Sequence, residues 1–238
     1  MSTRQSKSAK KSVNHRTRVG AERREKMRAR LLESALLVFA SQGVDATVVD
    51  EVISTAGVSR GTFYNYFRTN EELFSAVAAE VSNEILRIVD PLLLPLTDPA
   101  ARIAVGIRLV IELARKHPPL AAFVVRGGPA AVAAGGLATE YLPRDLAAGV
   151  ESGRFSTLPP RLAYDLVLGP VLAACHTVLT ERVPADYGEA LAQAVLQSLG
   201  VAKATARRFA TQMLDVTELT ADSLFERADA RATSLAGE

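Results

Sequence analysis

Arg60 and Asn65 stand close together in the string Ser59-Arg60-Gly61-Thr62-Phe63-Tyr64-Asn65-Tyr66-Phe67, among several hydroxyl-bearing side chains. Arginine can pair bidentately with a guanine edge and asparagine with an adenine edge. Thr47, Ser59, Thr62, Tyr64 and Tyr66 supply hydroxyls of the kind that usually serve phosphates rather than bases. The chemistry on offer is the reading of a duplex, with Arg60 and Asn65 as base contacts and Gly61 permitting close backbone approach. A solvated helix that merely shows aromatics is the competing reading for any one of these residues. The string as a whole favours DNA.

Such residues read a groove only if a helix presents them, and the flanking sequence supplies one. Val49, Val52, Ile53 and Ala56 recur at helical spacing, Gly57 breaks the helix, and Ser59 is a good N-cap for a second. Gly57 can take the positive φ of a tight interhelical turn, and Val58 plugs the angle between the helices. This is the grammar of a helix-turn-helix. Phe63 and Phe67, four apart, anchor the second helix to the core and leave the polar residues on its other faces. Upstream, residues 22–42 carry Met27, Leu31, Leu32, Ala35, Val38 and Phe39 as an apolar stripe, closed by Gly43. Downstream, Thr69 with Glu72 forms a capping box for a helix over about residues 71–90.

The segment resembles the DNA-binding domain of the TetR family of transcriptional regulators. The shared pattern is Thr47, an apolar helix, then Ala56-Gly57-Val58-Ser59-x-Gly61-Thr62-x-Tyr64-x-Tyr66-Phe67, and Glu71-x-Leu73 after it. Asn70 stands where the family usually has lysine, which touches a phosphate at the start of the next helix. Loss of that contact is expected to flatten the salt dependence of DNA binding by about one unit of slope. The resemblance implies an all-α fold: an N-terminal three-helix helix-turn-helix domain, then a larger helical domain for ligand binding and dimerisation. It also implies a homodimer joined through a four-helix bundle of late helices, a small-molecule inducer, and repression rather than activation.

Charge is unevenly distributed. Net charge is +2, but the first 30 residues hold eleven Lys or Arg against two Glu, leaving the remainder at −7. Residues 1–20 are too polar to bury a core and read as a disordered arm. Arg16, Arg18, Arg23, Arg24 and Lys26 are placed to meet phosphates or the minor groove ahead of the helix-turn-helix. A solubilising tail is the alternative.

Other chemistries find little support. Cys175 is the only cysteine and His15, His117 and His176 the only histidines, with no metal-ligand spacing among them. No paired carboxylates, nucleophile and base, or phosphate loop converge, so neither an enzyme nor a cofactor is expected. The basic start lacks the apolar stretch of a secretory signal, and no run of eighteen apolar residues predicts a membrane span. A cytoplasmic location follows as the expectation. A nucleoid-associated protein that coats DNA with little specificity remains the second reading, and strongly salt-sensitive binding without a preferred site would mark it.

The rest of the chain reads as helices over about residues 100–117, 137–151, 160–182, 187–199 and 202–214, with a loop at Arg126 to Pro129 and a kink at Pro143. The predicted divisions are an arm at 1–20, a DNA-binding domain at 21–70, a regulatory and dimerisation domain at 71–216, and a tail at 217–238. Helix 160–182 is apolar on more than one side, with Gly169, Ala173 and Ala174 allowing close backbone approach. His117, Phe123, Arg126, Tyr141, Tyr164 and His176 are the candidate ligand-pocket residues, though ordinary packing or exposure explains each of them as well.

Overall fold

The computed structural model describes the backbone of residues 3–44, 48–133, 137–213 and 223–236, and side chains from residue 18 onward except 137, 138, 235 and 236. Among these residues there are helices and no strand. Helix α1 spans Thr3–Gln42, so the segment expected as a disordered arm is continuous with the first helix. Residues 3–42 contain no proline and only Gly20 among glycines, and are rich in Ala, Arg, Lys and Leu, all good helix formers. Once Leu31, Leu32, Ala35, Leu36 and Phe39 are buried, lengthening the helix costs far less than nucleating it.

Three helices follow: α2 (Val49–Ala56), α3 (Arg60–Tyr64) and α4 (Asn70–Leu93). The start of α4 is capped by the expected pair, although the return bond reaches the Arg68 N–H rather than that of the Thr69 N-cap. Thr69 Oγ1 accepts from the Glu72 N–H at 3.1 Å, while the Glu72 carboxylate accepts from the Arg68 N–H at 2.8 Å. Asn70 Nδ2 donates to the Val44 carbonyl at 3.1 Å, tying the start of α4 to the segment after α1.

The larger half comprises α5 (Pro99–Lys116), α6 (Pro118–Ala133), a π-helical turn (Leu137–Tyr141), α7 (Leu142–Glu151), α8 (Pro160–Thr180), α9 (Tyr187–Ser198) and α10 (Lys203–Ala210). The predicted loop near residue 128 is a break inside α6, where Gly128 takes φ 53° and ψ −142°. Pro143 opens α7 rather than kinking a longer helix. That position suits proline, whose missing N–H has no partner to lose in the first turn.

Part of the expected tail at 217–238 is a packed helix. Helix α11 (Leu224–Ala236) packs Leu224, Phe225 and Ala228 into the core at 2% exposure or less. Its few apolar residues among charges hid this in the sequence. Residues 217–222 of that predicted tail lie outside the described residues.

Two apolar cores result. One joins α1, α2 and α3 to α4, α6 and α11 without interruption, around a cluster in which Phe39 meets Phe74 at 5.4 Å and Phe74 meets Phe123 at 5.6 Å. The other packs α5 and α7 against α8, α9 and α10. The helix-turn-helix therefore shares its core with helices that also belong to the larger half.

Candidate functional site

The turn between α2 and α3 is built by local chemistry. Gly57 takes φ 60° and ψ 45°, its N–H donates to Ser54 O at 3.0 Å, and the Val58 N–H donates to Ile53 O at 3.1 Å. These two bonds are the Schellman pattern, which needs the left-handed residue that glycine supplies without strain. Ser59 then caps α3, its Oγ accepting from the Thr62 N–H at 3.1 Å and lying 2.9 Å from Thr62 Oγ1. Loss of such a cap costs about 1 kcal/mol.

Phe63 and Phe67 are buried beneath this turn, as their spacing predicts, and hold α3 down. Ser59, Arg60, Gly61, Tyr64 and Asn65 are exposed around it, while Thr62 and Tyr66 are half-buried. Helix α3 is shorter than the string implied, and Asn65 sits just past it as the C-cap, still with helical φ and ψ. Arg60 Nη2 donates to Asp50 Oδ1 at 2.7 Å. Thr47 lies outside the described residues.

The basic residues form an exposed flank. Arg18, Arg23, Arg24 and Lys26 are exposed on α1, with Arg18 3.4 Å from Glu22. The side chain of Arg16 lies outside the described residues.

A second site lies in the larger half. A partly open cavity of about 150 Å³ is lined by α4, α5, α6, α7 and α8, with Val81, Ile85, Ile107, Val167 and Val171 among its apolar walls. A volume near this size holds one benzene-sized molecule. Its polar end is formed by Arg102, Tyr141 and Asp145. Asp145 accepts from Arg102 Nε at 3.0 Å and from Arg144 Nη2 at 3.1 Å, and Arg102 Nη1 also donates to Leu93 O at 2.8 Å, at the end of α4.

Of the six pocket candidates, Tyr141 alone lines this cavity. Phe123 belongs to the aromatic cluster, and Arg126 and His176 are exposed. Tyr164 is half-buried with Arg161 stacked on its ring, and burial pushes its hydroxyl pKa up while Arg161 pulls it down. His117 is buried against α11. Arg102 and Asp145 were missed because one charge on each of two helices carries no periodic signal. A charge beside the Ile103, Ile107 and Val110 stripe was the available hint.

Cys175 also faces the cavity, and burial pushes its thiol up to about 11. Among the described residues no group of three or more His, Cys, Asp or Glu is arranged to hold a metal.

Helix α8 meets the length and composition of a membrane span, with 22% of its most apolar window buried. Its exposure is patterned. Leu162, Leu166, Gly169, Ala173, His176 and Thr180 lie three or four apart, all exposed except half-buried Leu166.

This arrangement defines a helix-turn-helix regulator with a separate cavity. Residues 31–77 match the model of bacterial regulatory proteins of the tetR family, and residues 98–212 match that of the tetracycline repressor-like C-terminal domain. The ligand-bound structure of RolR with resorcinol is 31% identical, with a TM-score of 0.63 over 84% of this chain and 100% of that one. The chain belongs to the TetR family of transcriptional regulators. Uncharacterised HTH-type regulators YfiR of Bacillus subtilis (36% identical over 31% of this chain) and MT1294 of Mycobacterium tuberculosis (28% over 47%) are also similar. The matched stretches span 36% and 55% of those two relatives, less than two thirds of either.

Proposed function

We propose that this protein is a homodimeric repressor that leaves a palindromic operator when a small molecule fills the cavity. One observation carries the reading: α4 begins under the helix-turn-helix at its Thr69 cap and ends as a wall of the cavity, at Val89 and Leu93. Its 24 residues span about 36 Å. A rigid rod of that length converts a small shift at one end into displacement of the other.

Arg60 and Asn65 read base edges, Gly61 lets the backbone close on the duplex, and Ser59, Thr62, Tyr64, Tyr66 and Thr47 grip phosphates. Thr62 already bonds Ser59, so its contribution comes through the cap as much as through its own hydroxyl. Arg16, Arg18, Arg23, Arg24 and Lys26 add the sequence-independent attraction of a basic helix. Residues 21–70 form the reading unit and 71–216 the regulatory and dimerisation unit, although they share a core. The open seam of α8 pairs with α9 across a two-fold axis, placing two copies of α3 about 34 Å apart.

The occupant is an apolar or aromatic molecule with a hydroxyl that competes for Asp145 and Arg102, a class to which the resorcinol of RolR belongs. Loosening Arg102 from Leu93 O frees the end of α4. A coupling of about 1 to 3 kcal/mol would change DNA affinity about 5- to 150-fold.

A thermal melt with a panel of monocyclic phenols, resorcinol included, tests the ligand class. The parent chain is expected to gain melting temperature, and Gly106→Leu, which fills the cavity from its wall, to gain none. Equal shifts in both chains would place the ligand elsewhere.

A further inference from the structure

Helix α2 ends with carbonyls that its own turn does not serve, that of Thr55 among them. The Schellman bonds occupy Ile53 O and Ser54 O, and the Thr55 carbonyl is taken by Arg231 Nη2 of α11. The other terminal nitrogen of the same guanidinium, Nη1, donates to Glu33 Oε1 of α1 at 3.0 Å, and Arg227 Nε lies 3.6 Å from Glu33 Oε2. Glu33 is 9% exposed, and a carboxylate so enclosed needs charged partners. A single side chain thus holds α1 and the end of α2 in a fixed relation.

The same helix is fastened to the larger half. Asp229 Oδ2 lies 2.5 Å from His117 Nδ1, and the His117 ring packs on Phe225 at 5.5 Å. His117 closes α5, and its carbonyl accepts from the Leu120 N–H at the start of α6. Both of those helices line the cavity. On α4, burial pushes the Glu84 carboxyl pKa up, with Arg87 and Arg227 pulling it down.

We infer that α11 is a positioning element of the reading unit, in which Arg231 fixes the end of α2 and the turn that aims α3, while Asp229 anchors the same helix at the α5 to α6 corner. The inference rests on the DNA-binding reading above. Arg231 is then a positioning residue, and α11 gives the reading unit a second mechanical link to the larger half besides α4.

The test compares the full chain with Arg231→Ala and Arg231→Lys by backbone hydrogen exchange over residues 49–64. It also compares binding to a duplex recovered by selection and to a scrambled duplex across a range of salt. For Arg231→Ala, exchange in α2 and α3 is expected to quicken and affinity for the selected duplex to fall about tenfold. Affinity for the scrambled duplex and the salt slope are expected to match the parent. Arg231→Lys restores part of the loss, since an ammonium does not reproduce the two-pronged geometry. If Arg231→Ala does not fold, Arg231→Lys is read in the same assays with a smaller change. Unchanged exchange in the folded variants overturns the inference. So does an equal loss on both duplexes with a salt slope lower by about one, which would make Arg231 a phosphate contact. A parent chain that binds no duplex would defeat the DNA reading, and the exchange data would still decide whether Arg231 holds α2.

Discussion

Arg60 on α3 and Asp50 on α2 are joined by a 2.7 Å ion pair across the turn, although both side chains remain mostly exposed. An exposed pair contributes about 1 kcal/mol of stability at most. Its larger consequence is to mask one cation of the reading face. Asp50→Asn is therefore expected to leave the melting temperature nearly unchanged and raise affinity for duplex DNA several-fold, with a steeper salt dependence. Fluorescence anisotropy at three salt concentrations checks this, and unchanged binding would exclude Arg60 from the interface.

Asn65→Ala is expected to cost about 1 to 3 kcal/mol in affinity for the selected site and to relax sequence preference at one position of each half-site. Because Asn65 is exposed, stability should be unaffected. Retained affinity and preference would remove Asn65 from the base contacts.

Gly61 has no conformational duty in the fold. A Cβ there would meet Ser59 Oγ at 3.9 Å and nothing nearer, and its φ is not positive. Gly61→Val should accordingly fold normally but bind DNA more weakly, because the added bulk meets the duplex. Calorimetry and anisotropy on the same preparation separate the two effects.

The parts of the structure differed in how far the sequence revealed them, and the differences have physical causes. Gly57, Ser59, Phe63 and Phe67 are decided by neighbours within a few residues, so their turn, cap and anchors were readable. The cavity depends on positions from α4, α5, α6, α7 and α8 that look like ordinary core, and Arg102 meets Asp145 from 43 residues away. Helix α11 was harder still. Its polar sequence gains a place in the fold through partners far away in the chain, such as Glu33, 198 positions before Arg231, and His117, 112 positions before Asp229. His117, singled out as a possible ligand contact, serves the same junction.

Cys175 provides a pH signature. Its thiol is raised from an ordinary value of 9.0 to about 11 by burial. Between those values the unfolded chain releases the proton and the native chain keeps it, so stability falls as pH rises through the window, by about 3 kcal/mol in all. Urea unfolding at pH 8.5 and 10.5 should show a smaller decline for Cys175→Ala than for the parent. At pH 8 the native thiol should resist alkylation. Rapid modification would contradict its burial.

The exposed seam of α8 makes an assembly prediction. Ala173→Arg, at the centre of the run from Leu162 to Thr180, is expected to shift the protein from dimer to monomer in analytical ultracentrifugation and to abolish tight operator binding. A dimer unaffected by this charge would place the two-fold interface on another face.

Selection of genomic fragments bound by the purified full chain at near-physiological salt tests the central claim most directly. The account predicts recovery of a short palindrome whose half-sites are centred about one helical turn apart. Recovery of no motif, with binding that collapses as salt rises, would contradict it and identify a protein that coats DNA without reading it.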